Sequence, residues 1–206
     1  MRWLTNRWPS GCVGLLMLFA VAGCSPKENE PLKQNSAQSV ELPLAEQIEE
    51  VRSGASTEIV VHRQTVSDAD LAGIDELSQL ETLVLEKTVL TDAIAPRIAK
   101  LTRLKRLNVG SSQWSNEACQ SLAQMTQLEN VLLAQCMIND AGISALNTLS
   151  RLRFLIIRNL QLTDAALATI SELPALESLY ISSTEISDTG LSNLQVKRPK
   201  LHIHGP

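Results

Sequence analysis

Apolar residues return along this chain at a fixed interval of 24, with no insertion across six units that begin at residue 57. Ile59, Leu83, Leu107, Val131, Leu155 and Leu179 form one column, and Val61, Leu85, Val109, Leu133, Ile157 and Ile181 form a second, two positions on. A third holds Val66, Leu90, Trp114, Ile138, Leu162 and Ile186. The spacing then changes to steps of three. Leu71, Ala95, Cys119, Ile143, Leu167 and Leu191 are followed by Ile74, Ile98, Leu122, Leu146, Ile170 and Leu194, then by Leu77, Leu101, Met125, Leu149 and Leu173. Leu80, Leu104, Leu128, Leu152 and Leu176 close the units. A period of two that gives way to steps of three predicts a short strand followed by a helical turn or short helix in every unit. One such unit cannot bury its apolar side, so the pattern predicts stacked units that share a core.

A stack needs covers at its ends. Leu44, Ile48 and Val51 stand at helical spacing, with Pro43 near the start and Gly54 after the end, so residues 42–56 are predicted to form a capping helix. At the other end Lys197 and Lys200 replace the expected leucines, and Leu201-His202-Ile203 offers a last short strand. That end is expected to be thinly covered, an opening for weak self-association. The pattern leaves the oligomeric state open.

Ahead of the repeats the chain changes character. Arg2 and Arg7 precede thirteen uncharged, mostly apolar residues, Gly11 to Gly23. A bilayer span needs about 20 residues, so this run fits the core of a secretory leader instead. It ends in Val21-Ala22-Gly23-Cys24, which resembles the bacterial lipobox. The resemblance implies that residues 1–23 are a leader and that Cys24 is lipidated and becomes the mature N-terminus. A plain leader with Cys24 incidental is the alternative. Cys12 has no apolar run before it. Ser25 follows the cysteine where an Asp would retain the protein at the inner membrane, which implies the outer membrane in a cell that has one. Residues 24–41 are polar and carry two prolines; they are expected to form a flexible tether with a root-mean-square reach of about 20–25 Å.

The repeat itself resembles a known type. Ile138-Asn139-Asp140-Ala141-Gly142-Ile143 and Ile186-Ser187-Asp188-Thr189-Gly190-Leu191 match the I-T-D-x-G-L stretch of the 24-residue bacterial leucine-rich repeat. The resemblance covers residues 57–206. It implies an α/β solenoid with a parallel concave sheet and short convex helices, and a concave face used for binding. One position departs from the family, where Asn or Cys usually satisfies loop backbone: Gln64, Thr88, Ser112, Cys136, Leu160 and Thr184 stand there. Leu160 cannot make that bond, so the fifth loop is expected to be less regular.

Composition narrows the function. Apolar residues make up 44% of the 206, yet aromatics only 3%, which suits layers of equal-sized side chains better than an ordinary enzyme core. With Arg2 and Arg7 removed and no acid before residue 24, the mature chain has 16 bases against 22 acids, which argues against nucleic acid as a partner. Ser67-Asp68, Thr91-Asp92, Thr163-Asp164 and Ser187-Asp188, with Asn116 and Asp140 in register, suggest either helix capping or a calcium ladder. Capping is the expectation, because the glycine- and aspartate-dense nonapeptides of calcium solenoids are absent. Cys119 and Cys136 occupy core columns and are expected as buried free thiols, with a disulfide as the alternative in an oxidising envelope. His202 and His204 share a strand face without an evident third ligand, so no metal site is expected. No nucleophile motif, phosphate loop or metalloprotease motif occurs, and neither catalysis nor a cofactor is expected.

The strand positions between core columns face the concave side. Glu58, Thr82, Arg106, Asn130, Phe154 and Ser178 make one column there; Val60, Val84, Asn108, Leu132, Ile156 and Tyr180 make the next; His62, Glu86, Gly110, Ala134, Arg158 and Ser182 make the third. Leu132, Phe154, Ile156, Arg158 and Tyr180 gather aromatic, aliphatic and guanidinium groups in repeats four to six and are expected to contact a protein partner. The alternative is that they only strengthen the sheet through cross-strand pairing. The expected function is thus a non-catalytic, lipid-anchored interaction module of the bacterial cell envelope. A structural envelope element, or a module for peptidoglycan or polysaccharide, is the competing class.

Overall fold

The structure is a computed structural model that describes residues 41–62, 64–86 and 88–205. The expected leader, Cys24 and the expected tether up to residue 40 lie outside the described residues.

Among the described residues seven parallel strands form one sheet in sequential order. They are β1 (Glu58–Val61), β2 (Thr82–Leu85), β3 (Arg106–Gly110), β4 (Asn130–Ala134), β5 (Phe154–Arg158), β6 (Ser178–Ser182) and β7 (His202–His204). Every pair is in register with the sequence period: Glu58 faces Thr82, Thr82 faces Arg106, and so on to Ser178 and His202. The parallel ladder is possible because each unit returns over its convex side. Those returns are helix α2 (Ala95–Ile98), α3 (Asn116–Leu122), α4 (Asp140–Ala145), α5 (Asp164–Glu172) and α6 (Asp188–Lys197). The first unit has only a 3-10 turn, Ile74–Glu76, entered through Gly73 at φ 82°. This is the fold of a leucine-rich-repeat solenoid.

The columns read from sequence make the core. Ile59, Leu83, Leu155 and Leu179 have no exposed surface, and Leu107 and Val131 have 1% each. Burying such a side chain is worth about 1.5–3 kcal/mol, and each layer is buried only by its neighbours, so stability accrues between repeats. Trp114 takes its place in the third column, fully buried. Cys119 and Cys136 are buried free thiols.

The strands end in a tight corner. Ser111, Gln135, Asn159 and Ser183 occupy the same place in four consecutive repeats, all with φ between 53° and 55°. Left-handed backbone costs a non-glycine residue roughly 1–2 kcal/mol. It is held here by the next repeat: the amides of Ser111, Gln135 and Asn159 donate to the carbonyls of Ala134, Arg158 and Ser182 at 2.9–3.0 Å. The corner at Asn159 keeps this geometry, so the irregularity expected at Leu160 is confined to the next step. Leu160 turns into the core at 3% exposure, and the Leu162 amide closes back on the Leu160 carbonyl at 3.0 Å. Where a polar side chain stands instead, Thr88 donates to the Gly110 carbonyl at 3.0 Å.

Both ends are closed by polar side chains. Helix α1 (Leu44–Ser53) starts after Pro43 and stops at Gly54, which takes φ 82°. Its Gln47 amide replaces a missing strand, accepting from the Val60 amide at 2.7 Å and donating to the Val60 carbonyl at 2.9 Å. Glu41 accepts from the His62 amide at 2.6 Å. At the far end Arg198 donates to the carbonyls of Ser171, Leu173 and Leu176 at 2.8–3.1 Å. Ile186, Leu191 and Ile203 are only partly buried, so this cover is thinner, as expected from the lysines that replace leucines.

Candidate functional site

Two surfaces of the solenoid carry organised polar side chains, and they do different things. The first is the rim where each convex segment begins. Thr91, Ser115, Asn139, Thr163 and Ser187 all cap helical segments, accepting from backbone amides at 2.9–3.3 Å. This is the expected capping at Thr91, Thr163 and Ser187; Ser67 caps no helical segment and instead donates its hydroxyl to Asp70 at 2.6 Å, because the first unit's helical turn begins later, after Gly73. The aspartates beside Thr91, Asn139 and Thr163, and Asp68 one repeat earlier, have a further role that the sequence reading did not assign. Asp68 accepts from the amide and hydroxyl of Thr91 in the next repeat at 3.0 and 2.5 Å. Asp92 does the same to Ser115, Asp140 to Thr163, and Asp164 to Ser187. Asn116 takes the same place against Asn139, accepting from its amide and donating its own side-chain N–H to Asn139 Oδ1. The Ser187 hydroxyl and amide hold the Asp164 carboxyl below its ordinary 3.8.

The glycine of the I-T-D-x-G-L stretch serves the same contact. A Cβ on Gly142 would stand 2.5 Å from Asn116 Oδ1, and one on Gly190 would collide with the Asp164 carboxylate. The rim is therefore committed to its own neighbours. Among the described residues no group of three His, Cys, Asp or Glu is placed to hold a metal ion.

The second surface is the concave face. Register alone assembles it. Asn108, Leu132, Ile156 and Tyr180 lie side by side across β3 to β6, and so do Arg106, Asn130, Phe154 and Ser178. Gly110, Ala134, Arg158 and Ser182 complete the third row. All five residues expected at the contact patch thus occupy neighbouring strands. Leu132, Phe154 and Tyr180 are half-buried and Arg158 is exposed. Ile156 is different, with only 7% of its surface exposed. Leu132 and Tyr180 flank it directly in register, so it supports its neighbours and offers little of itself to a partner.

The aromatics are braced. The Arg153 guanidinium carbon stands 5.5 Å from the Phe154 ring centroid, and Arg153 is itself fixed by a two-pronged pair with Glu177 at 2.8 and 2.9 Å. The Tyr180 ring stacks on His204 with centroids 4.1 Å apart and planes 5° from parallel. His204 stands 24 residues after Tyr180, so the period carried this signal, although the sequence reading weighed His202 and His204 only as metal ligands. The same period hides a column of alternating charge just before the strands: Glu81, Lys105, Glu129, Arg153 and Glu177. Glu81 pairs with Lys105 at 2.8 Å and Arg153 with Glu177 at 2.8 Å.

Neither cysteine among the described residues is an activated nucleophile. Burial pushes the Cys119 thiol up to about 12 and raises Cys136 as well, so both are protonated thiols at neutral pH.

No family model and no curated protein matches the chain. Among solved structures it is similar to an internalin from Listeria monocytogenes str. 4b F2365, with a TM-score of 0.54, 23% identity, and coverage of 76% of this chain and 48% of that one. It also aligns with a pollen receptor kinase 3 at a TM-score of 0.45 and 20% identity, over 66% of this chain and 64% of that one. The chain spans less than two thirds of either. The internalin comparison supports the leucine-rich-repeat fold, the class that the in-register sheet had already defined.

Proposed function

We propose that this chain is an exported, non-catalytic leucine-rich-repeat interaction module, lipid-anchored through Cys24 in the bacterial cell envelope, that binds a protein partner on its concave face. The observation that carries the binding half is the patch of Leu132, Phe154, Arg158 and Tyr180 on an open sheet, with rigid rings and a guanidinium at neighbouring positions. Such groups dominate the energy of protein interfaces. The anchoring half rests on Val21-Ala22-Gly23-Cys24 after an apolar run. In a cell with two membranes, Ser25 in place of Asp after the cysteine favours the outer one.

The test is a capture experiment from envelope extract, wild type against Phe154→Ala with Tyr180→Ala. The double variant is expected to weaken partner recovery by about ten-fold or more; equal recovery by a folded variant rules the patch out. For the anchor, Cys24→Ser is expected to abolish incorporation of labelled palmitate. Incorporation that persists rules out lipidation at that residue.

A second reading has one observation in its favour. The burial of Ile156 between Leu132 and Tyr180 suits a sheet strengthened for its own sake, as in a structural element of the envelope. That reading expects abundant protein with broad, weak contacts and no saturable capture.

A further inference from the structure

The concave face is electrically unfinished in one place. Around it, charged side chains are taken up in contacts: Glu86 with His62 Nδ1 at 2.9 Å, Lys105 with Glu81, and Arg153 with Glu177. The guanidinium groups of Arg106 and Arg158 are exposed and have neither a hydrogen bond nor an ion pair among the described residues. In register, Arg106 sits on β3 in the first concave row and Arg158 on β5 in the third. Leu132, on β4 in the middle row, is the point halfway along the diagonal between them. Strand spacing of about 4.8 Å and a rise of about 3.3 Å per residue put the two Cα atoms roughly 16 Å apart. An extended peptide covers that distance in about five residues.

Ala134, next to Leu132 beside this diagonal, carries only a methyl group. A cation, an aliphatic side chain and a second cation along one line complement an extended segment with an acid at each end and an apolar residue between. The chain as a whole is acidic, so two uncompensated cations on its sheet stand out locally against the net charge.

We propose that the partner segment bound on this face is an acidic, extended stretch of protein whose carboxylates pair with Arg106 and Arg158 while an apolar side chain rests on Leu132. This rests on the concave-face reading above and adds the chemistry of the occupant.

The experiment uses the full lipidated chain in detergent micelles and three fluorescent peptides of about eight residues. They share a leucine centre and differ only in having glutamate, glutamine or lysine near both ends. Fluorescence anisotropy is expected to rank binding glutamate over glutamine over lysine, with the glutamate peptide weakening as salt shortens the screening length. Arg106→Glu and Arg158→Glu are each expected to weaken the glutamate peptide by about five-fold, a value typical of exposed ion pairs, and to improve the lysine peptide. Arg151→Glu, an exposed cation in the turn before β5, is expected to change nothing.

Equal binding of the three peptides, binding of none, or an equal loss at Arg151 overturns the proposal. So does polygalacturonate binding as tightly as the glutamate peptide, which makes the face a bare polyanion site. A protein captured from envelope extract that is lost with Phe154→Ala and Tyr180→Ala but retained with Arg106→Glu and Arg158→Glu overturns this inference and leaves concave-face binding standing. A protein retained by Phe154→Ala with Tyr180→Ala but lost with Arg106→Glu and Arg158→Glu supports this inference and removes the two rings from the contact patch.

Discussion

Along the rim where the convex segments begin, Asp68, Asp92, Asp140 and Asp164 are each held by the amide and the hydroxyl of the following repeat. Across the concave face, Arg106 and Arg158 reach no acid among the described residues, and Leu132, Phe154 and Tyr180 remain half-exposed. Both surfaces are built from the same 24-residue period, yet one is consumed by the fold and the other is left over. The difference separates what holds repeats in register from what is available to bind. It makes substitution effects separable too: rim and core changes act on stability, face changes on capture.

The largest effect is expected in the shared core. Leu155→Ala removes a fully buried side chain from a middle layer and is expected to cost about 2–5 kcal/mol in denaturant unfolding. A loss under 1 kcal/mol means that the layers do not depend on one another. Next comes the rim. Asp92→Ala leaves the Ser115 amide and hydroxyl without their acceptor, a loss of about 1–3 kcal/mol; an unchanged midpoint dismisses the ladder as ornament. The third effect concerns pH. The folded Asp164 carboxyl is held below 3.8 by Ser187, so its contribution is complete above the unfolded value of about 3.9 and vanishes as pH falls through the folded one. Asp164→Asn is therefore expected to flatten the acid limb of a stability profile below about pH 4, and an identical limb removes the residue from the account. Smallest of all, Arg158→Ser on the face is expected to stay within about 0.5 kcal/mol of wild type. A larger loss places Arg158 with the rim residues.

How much of this was legible varies with the kind of information the period carries. The strands, the convex segments, the core columns and the α1 cap follow from spacing, because a buried layer admits only apolar side chains of similar size. The rim was half legible: Thr91 and Thr163 read as caps from their own repeat, but the grip of Asp68 and Asp140 on them spans two repeats and depends on how closely the layers approach. Gly142 and Gly190 show that closeness only once the neighbouring side chain is in place. The membership of the concave patch was readable from alternation along each strand. The burial of Ile156 was not, because it depends on what flanks it on β4 and β6. The partnerless state of Arg106 and Arg158 was equally invisible, since it is a property of the whole face.

The central claim is that the concave sheet, and not the helical side, meets the partner. A photoreactive residue placed at Ser178, beside Phe154 on the concave face, and another at the exposed Gln120 of α3 test it in intact cells. The expected result is a discrete protein adduct from position 178 and none from 120. Adducts from 120 alone, or equal adducts from both, contradict it.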